Sequence, residues 1–321
     1  MKPYKGPLFL FGAFALAGTS VIAARFVSDT LGTFTIAAVS LFFALIVLFF
    51  LCRHRLIRTV KEMLMRDWFI LFLQAFFGIF LFRMFLLQGL IHTSSGEAGI
   101  LTGVTPAATV FFSWILIKES IHSKSILGVI STITGIVLLQ GMALSGKAFT
   151  AEHFVGNLLV ICAAICESLF NIISRINSLR TVEERKKPID PVVQTALVSA
   201  LAFLLCLIPA VFENPVTSLG MLNLDGWLAL VWYGLFVTAL AFILWYAGIK
   251  RCPASLAAAF SGMMPFTAMI LSVLLLNEHA QWHQWTGGFL VILGMIIIGR
   301  YQLSEKAPIK ASMQRSSFQN D

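Results

Sequence analysis

Arg83 and Glu167 are ionisable residues set inside long apolar runs, IFLFRMFLL around the arginine and ICAAICESLF around the glutamate. A charged side chain in hydrocarbon costs at least about 2.5–3.5 kcal/mol on insertion scales, so such residues face a cavity or a partner. A guanidinium can grip a carboxylate through two parallel hydrogen bonds. A glutamate can hold an amine or take up a coupling proton. The alternative is a structural ion pair between the two, which would be retained for packing rather than chemistry.

Weaker candidates surround this pair. Gln88, Asn171 and Gln74 could bind a ligand or bridge helices. Trp232, Tyr233, Trp245 and Tyr246 could wall a cavity or anchor a helix at the bilayer interface. His279 and His283 have metal-ligand spacing but no third ligand, so no metal site is expected. Cys52, Cys162, Cys166, Cys206 and Cys252 lack any ligand pattern and read as packing. No cofactor motif is present.

The elements that carry these residues follow from composition. Of 321 residues 58% are hydrophobic and 12% charged, with a mean hydropathy of +0.88, against roughly 25% charge in a soluble domain. A hydrocarbon core about 30 Å thick needs roughly 20 apolar residues in a helix. Ten such stretches are expected, near 7–27, 33–51, 68–90, 98–117, 125–142, 156–177, 192–212, 226–248, 254–276 and 283–301. The basic stretches 52–67 and 178–191 read as the longest linkers, and 304–321 as a disordered cytoplasmic tail. Glu167 then lies about 16 Å from the outer end of its helix, and Arg83 differs from it in depth by about 6 Å. Lys and Arg are retained on the cytoplasmic side. With the N-terminus inside, all of them except Arg25, Arg83 and Lys147 fall in inner segments. The net charge of +8 is therefore segregated by loop and forms no nucleic-acid patch.

The chain also repeats itself. A shift of 159 residues places Trp68 on Trp227, Gly89 on Gly248, Pro106 on Pro265, Glu119 on Glu278, Gly128 on Gly287 and Gly135 on Gly294. The first helices need a shift of 150, pairing Arg25 with Arg175. Five helices per repeat is an odd number, so the second repeat enters from the opposite face. The expected fold is all-α and integral to the membrane, with ten transmembrane helices in two inverted five-helix repeats (1–146 and 147–303) and both termini cytoplasmic. Inverted repeats mark secondary transporters, in which the halves exchange conformations.

Within the repeats, TGVTP and SGMMP place Thr102, Gly103 and Pro106 beside Ser261, Gly262 and Pro265 in the paired sequence. Each proline removes a donor, so the carbonyls of Thr102 and Ser261 lose their usual partners and a kink is expected. Such freed groups are tolerated where they line a cavity. These six residues are the candidate gates.

The stretch HTSSGEAGILTGVTPAATVFFSWILIKES and its echo CPASLAAAFSGMMPFTAMILSVLLLNEH, each followed by a glycine-containing helix, resemble the two EamA-type repeats of the drug/metabolite transporter superfamily. The resemblance implies a ten-helix carrier whose cavity is lined by the first four helices of each repeat. It implies amino acids, other metabolites or toxic compounds as cargo. An arginine frequent on the second helix of that family is Ser40 here, so its role does not transfer. The chain is expected to export a small metabolite, an amino acid or a relative of one, across the cytoplasmic (inner) membrane by alternating access. A sensor or lipid scramblase on the same scaffold is the rival. No nucleophile–base or HExxH pattern supports an enzyme. The expected partners are the substrate and the bilayer, with protons as candidate coupling ion and a homodimer as candidate assembly.

Overall fold

The computed structural model describes residues 4–27, 29–93, 101, 104–118, 123–139, 154–183, 188–276 and 280–298. Among them no strand occurs. Seven helices are long and apolar enough to cross a membrane: α1 (Lys5–Ala24), α2 (Thr33–Glu62), α3 (Met65–Gly89), α6 (Phe154–Arg180), α7 (Pro191–Val211), α8 (Leu224–Ile249) and α9 (Leu256–Leu275). Among the described residues there are also three shorter apolar helices: α4 (Val104–Ile117), α5 (Ser123–Leu139) and α10 (Trp282–Ile298). The sequence regions flanking α4 and α5 lie largely outside the described residues, as do Thr102, Gly103, Glu119, Glu278, His279 and the tail.

Two expected linkers begin as helix instead. The α2 helix runs on through Arg53–Glu62, and α6 continues to Glu183. Arg, Lys and Glu are strong helix formers, and Arg58 and Glu62 pair one turn apart at 3.1 Å. Polarity ended the membrane stretch there without ending the helix.

Large apolar side chains point outward around the bundle, among them Leu8, Phe50, Ile208 and Phe289. A belt of this kind would aggregate in water and suits contact with lipid. Inside, Ala37, Leu41, Ala44 and Leu48 of α2 are buried, as are Val198, Ala202 and Cys206 of α7. Small residues on both sides allow the two helices to pack closely. Glu213 accepts from the Phe34 and Thr35 amides (3.1 and 2.7 Å) at the start of α2. At the other end Asp190 caps α7 by accepting from the Val192 amide (2.9 Å) and pairs with Arg55 (2.9 Å). Each carboxylate meets the positive end of a helix dipole.

The two halves pack by the same rules. A Cβ on Gly89 of α3 would strike Val160 of α6, and one on Gly248 of α8 would strike Leu10 of α1. These are equivalent pairs under the two shifts. The helices α5 and α10 run antiparallel. Gly128 lies against the Gly294 carbonyl and Gly135 against that of Gly287, while Ser131 donates to the Leu290 carbonyl at 2.8 Å. Since Gly128 is equivalent to Gly287 and Gly135 to Gly294, a two-fold rotation maps this interface onto itself. Such a rotation reverses helix direction, as the inverted repeat requires.

Candidate functional site

A π-helical turn interrupts α3 at Phe76–Leu81 and α8 at Tyr233–Leu240, which the 159-residue shift superposes. Such turns misalign the helix ladder and recur at functional sites. Arg83 follows the first and Tyr233 opens the second. The Arg83 guanidinium lies over the Tyr233 ring, 5.6 Å from its centroid, where the electron-rich face attracts a cation.

Glu167 rises from α6 at the crossing with α4. It accepts a hydrogen bond from the Thr105 hydroxyl at 3.0 Å. The next residue, Ser168, donates to the Thr105 carbonyl (3.2 Å) and to its own Ala164 carbonyl (2.8 Å). Thr105 immediately precedes Pro106, which is buried, so the carboxylate is tied to the helix beside its proline.

The α3 and α6 helices run antiparallel, because Gly78 faces Phe170, Gly89 faces Val160 and His92 faces Gly156. This register places Arg83 within about two residues of the level of Glu167, about 3 Å along the axis, closer than the sequence reading allowed. No ion pair joins them among the described residues. Arg83 is held by a ring and Glu167 by a hydroxyl. The structural ion pair is thereby corrected: each charge is oriented by a neutral group and neither is neutralised by the other.

The other candidates separate. Trp245 is buried and stacks on Phe170 (centroids 4.6 Å apart), which lies one turn along α6 from Glu167. It is an interior wall and no interface anchor. Tyr246 is also buried and donates to Gln74, which accepts from Gln194 as well (3.0 and 3.2 Å). Gln74 thus serves as a bridge between helices. Trp232 is exposed and bonds Thr19 at 3.0 Å, as an anchor would. Asn171 is buried one turn beyond Glu167. Gln88 is exposed near the end of α3, away from the pair. His283 is occupied by the Leu138 carbonyl and Gln281 (3.0 and 2.8 Å). The five cysteines are free thiols, four of them buried.

The helix α9 breaks where expected. Helix spans Ala254–Phe260 and resumes at Met263. The Ser261 carbonyl, left without a partner by Pro265, accepts instead from the Met264 amide at 3.0 Å. In α4, Pro106 is described but Thr102 and Gly103 are not.

Sequence reasoning missed Thr105, Ser168 and Phe170. The first two carry a readable signal, hydroxyls spaced by four on α4 (Thr105, Thr109) and a polar residue beside Glu167. Phe170 is one of 29 phenylalanines and carries none.

Comparison with known proteins agrees with this architecture. The model of the EamA-like transporter family matches residues 4–140 and again 154–300. The uncharacterized transporter YetK of Bacillus subtilis is 30% identical over 290 residues, covering 90% of this chain and 84% of its own. The aromatic amino acid exporter YddG of Ancylobacter novellus is 29% identical over 199 residues, covering 62% of this chain and 63% of its own. A solved crystal structure sharing 22% identity superposes with a TM-score of 0.69 over 91% of this chain and 95% of that one, a likeness of fold.

Proposed function

Because the chain belongs to the EamA-like transporter family, whose members are transporters and not enzymes, we propose that it exports an amino acid or a close relative across the cytoplasmic membrane by alternating access. All ten helices cross the bilayer in this reading and both termini lie inside. The observation that carries it is the Arg83–Glu167 arrangement. A cation and an acid stand at one level, each oriented by a neutral side chain. That is the complement of a zwitterion, with Arg83 taking the carboxylate and Glu167 the amine or a coupling proton. Trp245 and Tyr233 supply ring faces for an apolar side chain, in keeping with the aromatic cargo named for the Ancylobacter relative. Asn171 is a secondary contact beside the pair, and Gln88, exposed near the end of α3, would meet the substrate only outside it. The gates are the proline segments, Thr102, Gly103 and Pro106 in α4 and Ser261, Gly262 and Pro265 in α9, moving alternately.

Purified protein in liposomes loaded with labelled L-tryptophan or L-phenylalanine tests the cargo. Wild-type efflux that disappears in Arg83→Lys supports the reading, because an ammonium cannot reproduce the planar fork. Equal efflux in wild type, Arg83→Lys and protein-free liposomes overturns it. Orientation is checked separately: Asn214→Cys should react with an impermeant thiol reagent outside intact cells, and Lys61→Cys only after permeabilisation.

A further inference from the structure

The polar contact at Glu167 is the head of a longer row. On α6 the residues Glu167, Asn171, Ser174 and Ser178 recur at steps of four, three and four, which lie on one helix face. On α4 the residues Thr105, Thr109 and Ser113 recur every four. The two helices pack against each other, and they run the same way: Thr93, which precedes α4, bonds Asn157 (2.6 Å), and Thr105, within α4, bonds Glu167 (3.0 Å), so the chain advances in the direction of α6. One turn past Thr105 and Glu167 therefore brings Thr109 level with Asn171, and the next brings Ser113 level with Ser174.

Thr109, Asn171 and Ser174 are all at most 2% exposed. Their Oγ1, Nδ2 and Oγ atoms have no hydrogen-bond partner in the protein. Buried polar atoms are almost always satisfied, and where the protein supplies no partner, water or an ion does. Three such atoms in one seam, ending at a carboxylate, define a site for a file of water molecules. Hydroxyls both donate and accept, so they can pass a proton along such a file.

The opposite repeat provides the contrast. The shifts pair Glu167, Ser168, Asn171 and Ser174 with Ala17, Gly18, Val21 and Ala24, and pair Thr105 and Thr109 with Met264 and Ala268. There Gly18 packs on the Met264 carbonyl, the counterpart of the Ser168–Thr105 contact. Around Glu167 one seam is polar and the other apolar, while farther along Ser113 and Ser178 keep serine at their equivalents Ser272 and Ser28.

We propose that the α4–α6 seam is a one-sided water and proton path connecting Glu167 to the Arg180 end of α6, the end that the charge distribution places in the cytoplasm. The proton enters from water at that end. Each hydroxyl or water accepts one proton and releases another, and the last forms an O–H bond on the Glu167 carboxylate, so no charge is left along the seam. Few other charges bear on Glu167. On α3 there is Arg83 at its level, with Arg66 and Asp67 at the far end and His92 just past the near end, against Gly156. On α6 there are Cys162, Cys166, Arg175 and Arg180, after α4 Lys118, and on α8 Asp225, Tyr233 and Tyr246. The described part of α9 carries none.

Only the use of this proton for coupling rests on the transporter reading, and the test needs no substrate. Wild-type protein is reconstituted in one orientation, and Glu167 is reacted with dicyclohexylcarbodiimide, which modifies the protonated acid. Modification is read on the Glu167 peptide by mass spectrometry with Glu167→Gln as blank. It should follow the pH of the compartment at the Arg180 end and ignore the other, and the double variant Thr109→Val with Ser174→Ala should slow its response at least tenfold. In a background with the five cysteines replaced by alanine and checked for monodispersity, Ser174→Cys should react with a small methanethiosulfonate from the Arg180 side and not from the opposite side. Modification that follows the opposite compartment, that is unchanged in the double variant, or that accompanies equal labelling of Ser174→Cys from the two sides overturns the path. Failure of amino-acid efflux with these results intact would overturn the cargo and leave the path standing.

Discussion

Where α6 crosses α4, Ser168 reaches the carbonyl of Thr105 beside a carboxylate; where α1 crosses α9, Gly18 presses on the carbonyl of Met264 beside Ala17. The backbones meet in the same way, because the crossing is fixed by small residues and repeat symmetry. The side chains then diverge: the α4–α6 crossing carries the ionisable group, and the α1–α9 crossing carries the break at Ser261–Gly262. Arg83 has the same one-sidedness, since the 159 shift pairs it with Phe242. The backbone geometry of the crossing is thus duplicated, while Glu167 and Arg83 have no ionisable counterpart at their equivalent positions.

The largest effects should come from erasing that chemistry. Arg83→Lys and Glu167→Gln should each cut amino-acid flux by ~30-fold or more, as expected for loss of ~2–5 kcal/mol from a desolvated charge contact. Ala17→Ser, at the position equivalent to Glu167, should change flux by less than about threefold, because a small hydroxyl adds no charge and can bond its own helix. Comparable losses at Ala17 and Glu167 would show that the halves share the chemistry.

Next is the attempt to install a carboxylate in the apolar crossing. Ala17→Glu should lower stability by ~2.5–3.5 kcal/mol, read as a fall in melting temperature in detergent. Adding Met264→Thr, which supplies the hydroxyl that Thr105 supplies to Glu167, should recover part of the loss. No recovery would mean that the two crossings differ in backbone as well as side chain.

A smaller effect should be equal in both halves. Gly135→Leu and Gly294→Leu each push a side chain into the α5–α10 contact, costing ~1–3 kcal/mol by overpacking. Thermal melts should place the two variants together, and a clear split would break the symmetry of that interface.

The smallest concerns Lys250, whose equivalent is Ile91. Lys250 follows α8 and donates to the Ile189 carbonyl. Burial pushes its ammonium down from 10.5 to about 8, with Asp190 opposing and Arg251 adding to the fall. The unfolded chain keeps the proton to higher pH than the folded one, so this group adds stability as pH rises from about 8 toward 10.5. Melts across that window should show the rise in wild type and lose it in Lys250→Met.

The repeat, the charged pair and the α9 break were legible in the sequence because Trp, Pro, Glu and Arg are sparse in apolar helices and each has one dominant physical consequence. The π turns were not, since FFGIFL differs from a regular helix only in how its ladder closes. The overrun of α2 past the apolar stretch was missed because hydropathy locates the bilayer and says nothing of where hydrogen bonding stops. The register that brings Arg83 level with Glu167 depends on Gly78, Gly89 and Gly156, whose close approaches emerge only once α3 and α6 are side by side.

The interface of α5 with α10 has a further property. Rotation about the pseudo-two-fold axis carries Gly128 against Gly294 onto Gly287 against Gly135, so the contact is its own image. The contacts of α3 with α6 and of α1 with α8 are images of each other instead. A cycle in which the halves trade shapes must alter those two in opposite senses, yet it asks nothing of an interface that is invariant under the trade. In the proposed exchange the glycine seam would be the fixed point, an axle that stays assembled while the rest of the bundle turns about it.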